Sequence, residues 1–261
     1  MGARVVAPVI DLHCHILAGL DDGAQTTEES VAFARAFVEA RVRIVAATPH
    51  VRDDYTTTPT EMEKGLADLQ RELAEQAIPL EVLGGGEIAL DYLELLTLED
   101  LRRFGLAGNP SYLLLEFPYL GWPLGLETQV LELVDQGITP VLAHPERNPE
   151  VRASPDRLGN LVVGGALVQL TAASLVGRFG RPTRRAALRL VELGLAHLIS
   201  SDAHRGGQRL SSLDSVGRAI GDARLARWLL GEVPSSIVLG QPLPTRPQTR
   251  PRRWRLGRAV T

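Results

Sequence analysis

Several things are scarce in this 261-residue chain, and each scarcity excludes something. There is a single cysteine, Cys14, so no disulfide can form within the chain, and nothing in the cysteine usage calls for an oxidising compartment. Cys14 also fails as a cysteine-phosphatase nucleophile, because such a site needs an arginine six residues on and that position is Leu20. No Gly-x-Ser-x-Gly elbow occurs, which argues against a serine hydrolase. No uninterrupted apolar run is long enough to span a bilayer. The opening MGARVVAPVIDLHCH lacks the apolar core and cleavage site of a signal peptide, so a cytoplasmic protein is expected. The net charge of −3 gives no general attraction for nucleic acid. Lysine is nearly absent: Lys64 is alone among 28 basic residues, leaving 27 arginines.

What is present is an alternation of short apolar runs with helix-like segments. Strands are predicted at Val5–Leu12, Val42–Thr48, Leu80–Leu83, Tyr112–Leu115, Ile138–Ala143, Ala166–Leu170 and Ala196–Ser200. They are apolar on both parities, as parallel strands covered on both faces are. A first helix is predicted after Thr26, with Thr26 as N-cap, Glu29 at N3 and Val31, Ala34 and Val38 on one face. Further helices are predicted at Glu61–Gln76, Leu126–Gln136, Arg184–Leu193 and Ser211–Leu230. The pattern predicts a single α/β domain over residues 1–241, its parallel sheet closed or open. From Pro242 to the C-terminus, residues 242–261, prolines and arginines dominate, and this reads as a flexible basic tail outside the domain. Such a tail is either simply solvated or an electrostatic contact for acidic lipid at a membrane surface or for an acidic partner segment.

The ionisable residues concentrate at strand ends. His13 and His15 lie two apart on the first strand, and alternate strand residues share a face, so both can reach one metal. His50, Glu87, Glu116, His144, Asp202 and His204 stand at the ends of later strands, and in a βα barrel those ends converge on the active-site rim. Burying so many imidazoles and carboxylates without a cation would cost several kcal/mol each, on the order of the desolvation penalty. Asp21 and Asp22 add carboxylates in the following loop, although Asp-Asp-Gly is also ordinary turn chemistry. The mixed imidazole–carboxylate set without thiolates favours Mn²⁺, Fe²⁺ or Zn²⁺.

In order and spacing, Asp11-Leu12-His13-Cys14-His15, Asp21-Asp22-Gly23-Ala24, Thr48-Pro49-His50, Gly86-Glu87-Ile88, Leu115-Glu116-Phe117, Ala143-His144-Pro145-Glu146-Arg147 and Ser201-Asp202-Ala203-His204 resemble the polymerase-and-histidinol-phosphatase (PHP) superfamily. Within it they are most similar to the CpsB/YwqE-type manganese-dependent bacterial protein tyrosine phosphatases of capsule and exopolysaccharide operons. The resemblance covers residues 9 to 240 and implies a distorted (β/α)7, TIM-like barrel with three ions, Mn²⁺ first among the metals. Carried over by motif, His13, His15, Glu87 and Asp202 would hold the first ion. Glu87, Glu116 and His144 would hold the second, and Asp22, His50 and His204 the third. Asp22 is preferred to Asp21 because it lies nine residues after His13, the family spacing. Arg147 and Arg209 would clamp the phosphate.

The implied activity is phosphomonoester hydrolysis by metal-activated hydroxide on a phosphotyrosyl protein, such as the tail of a tyrosine autokinase. The alternatives are a small-molecule phosphatase of the histidinol-phosphatase type and, in another class, a non-catalytic binding or regulatory module. Amidohydrolases share the His-x-His start, but many need a strand-end lysine, and Lys64 lies in a polar helical stretch. Two departures from the family pattern are Val51, where some relatives carry a second histidine, and Gln169-Leu170-Thr171, where an asparagine-containing strand end is usual. The loop Phe117–Trp122 is read either as a packed loop or as an aromatic wall for the substrate ring.

Overall fold

A computed structural model describes residues 9–204 and 210–248. Ten strands form: β1 (Val9–Cys14), β2 (Val42–Ala47), β3 (His50–Arg52), β4 (Tyr55–Thr56), β5 (Glu81–Leu83), β6 (Glu87–Ala89), β7 (Tyr112–Glu116), β8 (Thr139–Ala143), β9 (Leu167–Thr171) and β10 (Leu198–Ser200). Their parallel pairings run β1–β2, β2–β5, β3–β6, β6–β7, β7–β8, β8–β9 and β9–β10. A parallel bridge from Cys14 to Ala203, with Asp202 N donating to His13 O and His15 N to Ala203 O at 2.9 Å each, joins the last strand to the first. The pairings therefore make a ring of seven strand positions, two of them built from two pieces each. This is the distorted (β/α)7 barrel expected. β4 adds an antiparallel hairpin outside the ring.

The two broken positions are where the observed strands differ from the prediction. The second strand stops at Pro49, which has no N–H for the ladder, though its carbonyl still accepts from Glu87 N at 3.0 Å. The third is interrupted by Gly84-Gly85-Gly86. A Cβ on Gly86 would lie 2.6 Å from the fully buried Phe104 ring, so only glycine lets the chain pass there. Past these breaks the backbone re-enters the ladder with His50 opposite Glu87. His50 and Glu87 thus begin new strands instead of ending old ones.

The core is a ring of two-sided strands. Leu113, Leu114 and Leu115 have no exposed surface, each worth about 1.5–3 kcal/mol relative to exposure. The helix Thr27–Glu39 starts on Thr26 as predicted, but Glu29 closes back on Gln25 N and not on the cap itself. Complete reciprocal boxes are at Thr58 and Glu61, which start the helix Pro59–Glu75, and at Thr97 and Asp100, which start Leu98–Arg103. The predicted helix Ser211–Leu230 is broken. Gly221, at φ +73°, ends Val216–Ile220, and Asp222 caps Ala223–Arg227.

The Pro/Arg-rich segment does not leave the barrel at Pro242. Pro244 O accepts from Trp228 Nε1 at 3.0 Å. Arg246 donates to Val191 O at 2.7 Å and Ala196 O at 2.9 Å, capping the C-terminal end of the helix Gly180–Leu193 with a cation. The rest of the predicted tail, 249–261, lies outside the described residues, as does Arg209. No helix among the described residues is long and apolar enough to cross a membrane.

Two stability effects follow from this seam. Arg246→Ala removes two charge-assisted hydrogen bonds and is expected to cost about 1.5–3 kcal/mol, lowering Tm by on the order of 5–10 °C in a thermal melt, with metal content unchanged. His197 lies beside it: its Nδ1 accepts from Val168 N at 3.1 Å, and burial followed by the charge of Arg246 lowers its pKa from 6.5 to about 4. The unfolded chain then binds the proton first as pH falls from 6.5 towards 4, so stability drops across that window and is fully present above it. Relative to His197→Asn, the native protein should lose about 2 kcal/mol between about pH 7.5 and about pH 5. Parallel pH dependences in denaturant titrations of the two proteins would contradict it.

Candidate metal centre

The strand ends and the loop after the first strand bring all nine sequence-predicted ligand residues to one rim, five of the chain's six histidines among them. At its centre lie His13 Nε2, His15 Nε2, Glu87 Oε2 and Asp202 Oδ1. The nitrogens are 3.2 Å apart, and their distances to the two carboxylate oxygens are 3.1–3.5 Å. Donors about 2.1 Å from a tetrahedral ion would stand about 3.4 Å apart.

The protonation states make this arrangement hard to explain without a cation. Gln169 Nε2 donates to Leu170 O at 2.7 Å, so its Oε1 faces His13 Nδ1, 3.2 Å away. His13 must therefore carry its proton on Nδ1. Asp21 Oδ2 lies 2.6 Å from His15 Nδ1 and fixes the same tautomer there. In the neutral rings each Nε2 presents a lone pair to the other across 3.2 Å, and although burial opposes protonation the surrounding carboxylates raise both imidazole pKa values, so this point of the rim calls for positive charge. With the rings neutral, buried Glu87 Oε2 has no hydrogen-bond partner among the described residues. The donor set fits a bound cation.

Around this core the other ligands form two further groups. His144 Nε2 is 2.8 Å from Glu87 Oε1. His50 Nδ1 is 3.1 Å from Glu87 Oε2 and 3.7 Å from Glu116 Oε2. On the other side Asp22 Oδ1 is 3.2 Å from His204 Nε2 and 3.6 Å from His50 Nε2. His15 also lies near this last group, but its Nε2 points to Glu87 and Asp202, so it belongs with the central four.

Two of the ligands sit on strained backbone. His144 has φ +40° and Asp202 φ +51°, left-handed conformations that cost on the order of 1–3 kcal/mol each for such residues. His144 is held there by its N–H on Gln169 O, and Asp202 by its N–H on His13 O. Asp11, buried on β1, accepts from Ser201 N at 2.9 Å and fixes the approach to Asp202. Gly23 lets the Asp21–Asp22 loop fold onto β1: a Cβ there would be 2.1 Å from His15 O.

The electrostatics are divided within the rim. Burial opposes ionisation of Glu87, but the charge of His13 and the hydrogen bonds from His13 and His144 hold its pKa well below the usual range. Burial, then the charge of Glu87, raises Glu116 to about 7. Burial is the main cause that lowers His50 and His144 to about 4, so both imidazoles are neutral and able to ligate.

Some roles differ from the sequence reading. Asp21, passed over as a ligand in favour of Asp22, orients His15 and also accepts from His50 N at 3.0 Å and Gly23 N at 2.8 Å. Its Asp-Asp spacing after His15 was the available signal. Gln169, noted as a departure from the family pattern, belongs to the metal rim, its Oε1 3.2 Å from His13 Nδ1. Arg52 was missed: its guanidinium spans Glu116 at 3.1–3.2 Å and Asp54 at 2.7 Å. Arg147 reaches the rim, donating to Thr171 Oγ1 at 2.8 Å and to Asp202 Oδ2, with the Phe179 ring 4.5 Å from its guanidinium carbon. Cys14 points away from the site, its thiol on Ala46 O at 3.3 Å and its pKa raised by burial. In the loop after β7, Trp122 packs on Phe117 and under Arg157, whereas Tyr119, half exposed, stacks 6.1 Å from His144.

Known proteins carry the same framework. Over 197 residues the chain is 40% identical to the tyrosine-protein phosphatase YwqE of Bacillus subtilis (strain 168), spanning 75% of this chain and 77% of that protein. It is 34% identical over 200 residues to the putative tyrosine-protein phosphatase CapC of Staphylococcus aureus, with 75% and 77% covered. Among solved structures it matches one from the work on YwqE from Bacillus subtilis and CpsB from Streptococcus pneumoniae, described as unique metal-dependent tyrosine phosphatases. The TM-score is 0.80 at 36% identity, over 92% of this chain and 100% of that one. The family model for capsular polysaccharide synthesis proteins CpsB/CapC matches residues 9–226, and the chain belongs to that family.

Proposed function

We propose that the chain is a metal-dependent protein tyrosine phosphatase. The observation that carries this reading is the central group of four donors, two imidazole nitrogens 3.2 Å apart and each 3.1–3.5 Å from the same two carboxylate oxygens. His13, His15, Glu87 and Asp202 would hold one ion, Glu87, Glu116 and His144 a second, and Asp22, His50 and His204 a third. The short His50 Nδ1–Glu87 approach would add His50 to the second ion's surroundings. Mn²⁺ is the metal we favour, since the set is hard oxygen and imidazole without thiolate. Bound ions of this kind would lower the pKa of a water towards neutrality and neutralise phosphate oxygens.

The chain's own residues then orient and bind. Asp21 and Gln169 hold the imidazoles in the ligating tautomer. Arg147 stays charged, because Asp202 and Glu146 outweigh its burial, and its buried Nε has no hydrogen-bond partner. It is the phosphate-binding arginine in this reading, and Arg209 is its second by motif position alone. The physiological substrate we favour is a phosphotyrosyl tail of a tyrosine autokinase of capsule or exopolysaccharide synthesis, met in the cytoplasm. The histidinol-phosphatase reading differs only in substrate, so the deciding assay compares a phosphotyrosyl peptide with histidinol phosphate under Mn²⁺.

Exhaustive chelation should abolish turnover and Mn²⁺ should restore it, with close to three ions bound per chain by elemental analysis. Undiminished turnover by the metal-free protein, or preference for histidinol phosphate, would reject this function.

Asp21→Asn and Arg147→Ala should separate orientation from phosphate binding. An amide at position 21 can donate to His15 Nδ1 and would drive the proton to Nε2. Metal affinity should then fall about 10–100-fold in direct titration. Arg147→Ala should keep the ions and lower kcat/KM at least about tenfold, the scale of one charge-assisted contact. Lysine there should rescue only in part. Near-native kinetics in Arg147→Ala would leave the barrel and rim standing and remove the arginine from phosphate binding.

A further inference from the structure

A cavity of about 670 Å³ opens beside the metal rim and shares residues with it. Its inner wall includes Glu116, and Tyr119 bridges the two, lining the cavity while its ring stacks on His144. Pockets of about 300–1,000 Å³ take ligands much larger than one side chain. The phosphate-binding rim therefore uses only one end of a longer site.

The lining has two distinct sides. On one, Leu120 and Leu124 are 80% and 98% exposed beside Trp122, an apolar edge left open to solvent. The loop that carries them is held by Asn148 Nδ2, which donates to Pro118 O at 2.8 Å and Gly121 O at 2.7 Å. The other side is acidic. Asp53, Asp54, Asp91 and Glu116 share this side with Arg52, the single cation of the lining among the described residues, which is already engaged by Glu116 and Asp54. Asp53 and Asp91 are exposed and make no ion pair among the described residues.

We propose that this cavity docks the polypeptide flanking the phosphotyrosine and selects a basic residue next to it. The inference rests on the phosphatase reading. Leu120 and Leu124 cover the apolar stem of the flanking residues, while Asp53 and Asp91 attract a neighbouring lysine or arginine and repel an acidic one. A long basic side chain meets both sides at once, since its stem is apolar and its head charged. Free aryl phosphates, having no flanking chain, gain nothing from the cavity.

The test is kcat/KM under saturating Mn²⁺ for three phosphotyrosyl peptides of one length, with lysine, alanine or glutamate on either side of the phosphotyrosine. p-Nitrophenyl phosphate is the control. The lysine peptide should exceed the glutamate peptide by about five- to tenfold at low salt, the scale of two exposed charge contacts. The difference should shrink in high salt as the charges are screened. Asp53→Asn with Asp91→Asn should bring the three peptides together and leave p-nitrophenyl phosphate turnover unchanged. Leu120→Ser with Leu124→Ser should raise KM for all three peptides and not for the control. Equal rates for the three peptides with the native protein would overturn the charge selection. An unchanged peptide KM in the leucine variant would overturn the docking site. Absence of turnover on every phosphotyrosyl substrate, the control included, would instead reject the phosphatase reading itself.

Discussion

The rest of the structure depends on one constraint: two imidazole nitrogens are held 3.2 Å apart and 3.1–3.5 Å from two carboxylate oxygens across the rim, in a place water barely reaches. His13, His15 and Glu87 have no exposed surface, and Asp202 almost none. Each buried polar atom without a partner costs about 1–3 kcal/mol, and each left-handed backbone residue here costs a similar amount. An ion relieves all of these at one point. The barrel must therefore hold the rim against its own repulsion before an ion arrives, and strands whose side chains are buried on both faces are suited to that. The strained turns at His144 and Asp202 are each tied by a backbone hydrogen bond to a neighbouring strand of the ring. At these two positions the rim is thus preorganised by sheet hydrogen bonds.

Much of this was legible in the chain itself, and what was not has identifiable causes. The alternation of His13 and His15 needs only strand geometry. Glu116 and His144 follow long apolar runs whose ends are plain. His50 and Glu87 were placed at strand ends because proline and glycine normally stop strands. The strands resume at both sites, but as three-residue pieces too short for any periodicity to register. The helix predicted through Ser211–Leu230 failed for a related reason. Gly221 and Asp222 are a stop and a start side by side, and apolar spacing on either side hides them. Arg246 shows the opposite error. A segment with the composition of a disordered tail is docked by one side chain that finds two open carbonyls, and composition carries no information about where those carbonyls lie.

The loop Asp21–Asp22 shows the limit more sharply. Two adjacent residues of one type have different tasks. Asp22 is half exposed and faces His50 and His204, whereas Asp21 is buried and faces the far nitrogen of His15. Family spacing separated the ligand from its neighbour, but no pattern in the chain distinguishes a carboxylate that binds a cation from one that orients the imidazole doing so. That distinction depends on which ring nitrogen is reached, a matter of a few ångströms in three dimensions.

Gln169 extends the same logic. It departs from the family's usual residue at that strand end, yet an amide oxygen performs the required task of accepting the Nδ1 proton of His13. Its own N–H on Leu170 O prevents the amide from flipping and presenting a donor instead. The two histidines on the central group are consequently set by different partners, a neutral amide for His13 and a carboxylate for His15. A carboxylate pulls the Nδ1 proton harder and makes the opposite nitrogen a stronger donor. The two imidazoles of the central group are therefore unequal by construction. His15, the better donor, is also the one whose partner Asp21 accepts from His50 N and so ties the central group to the group of Asp22, His50 and His204. A change at Asp21 would reach two groups of ligands at once, while a change at Gln169 would reach one.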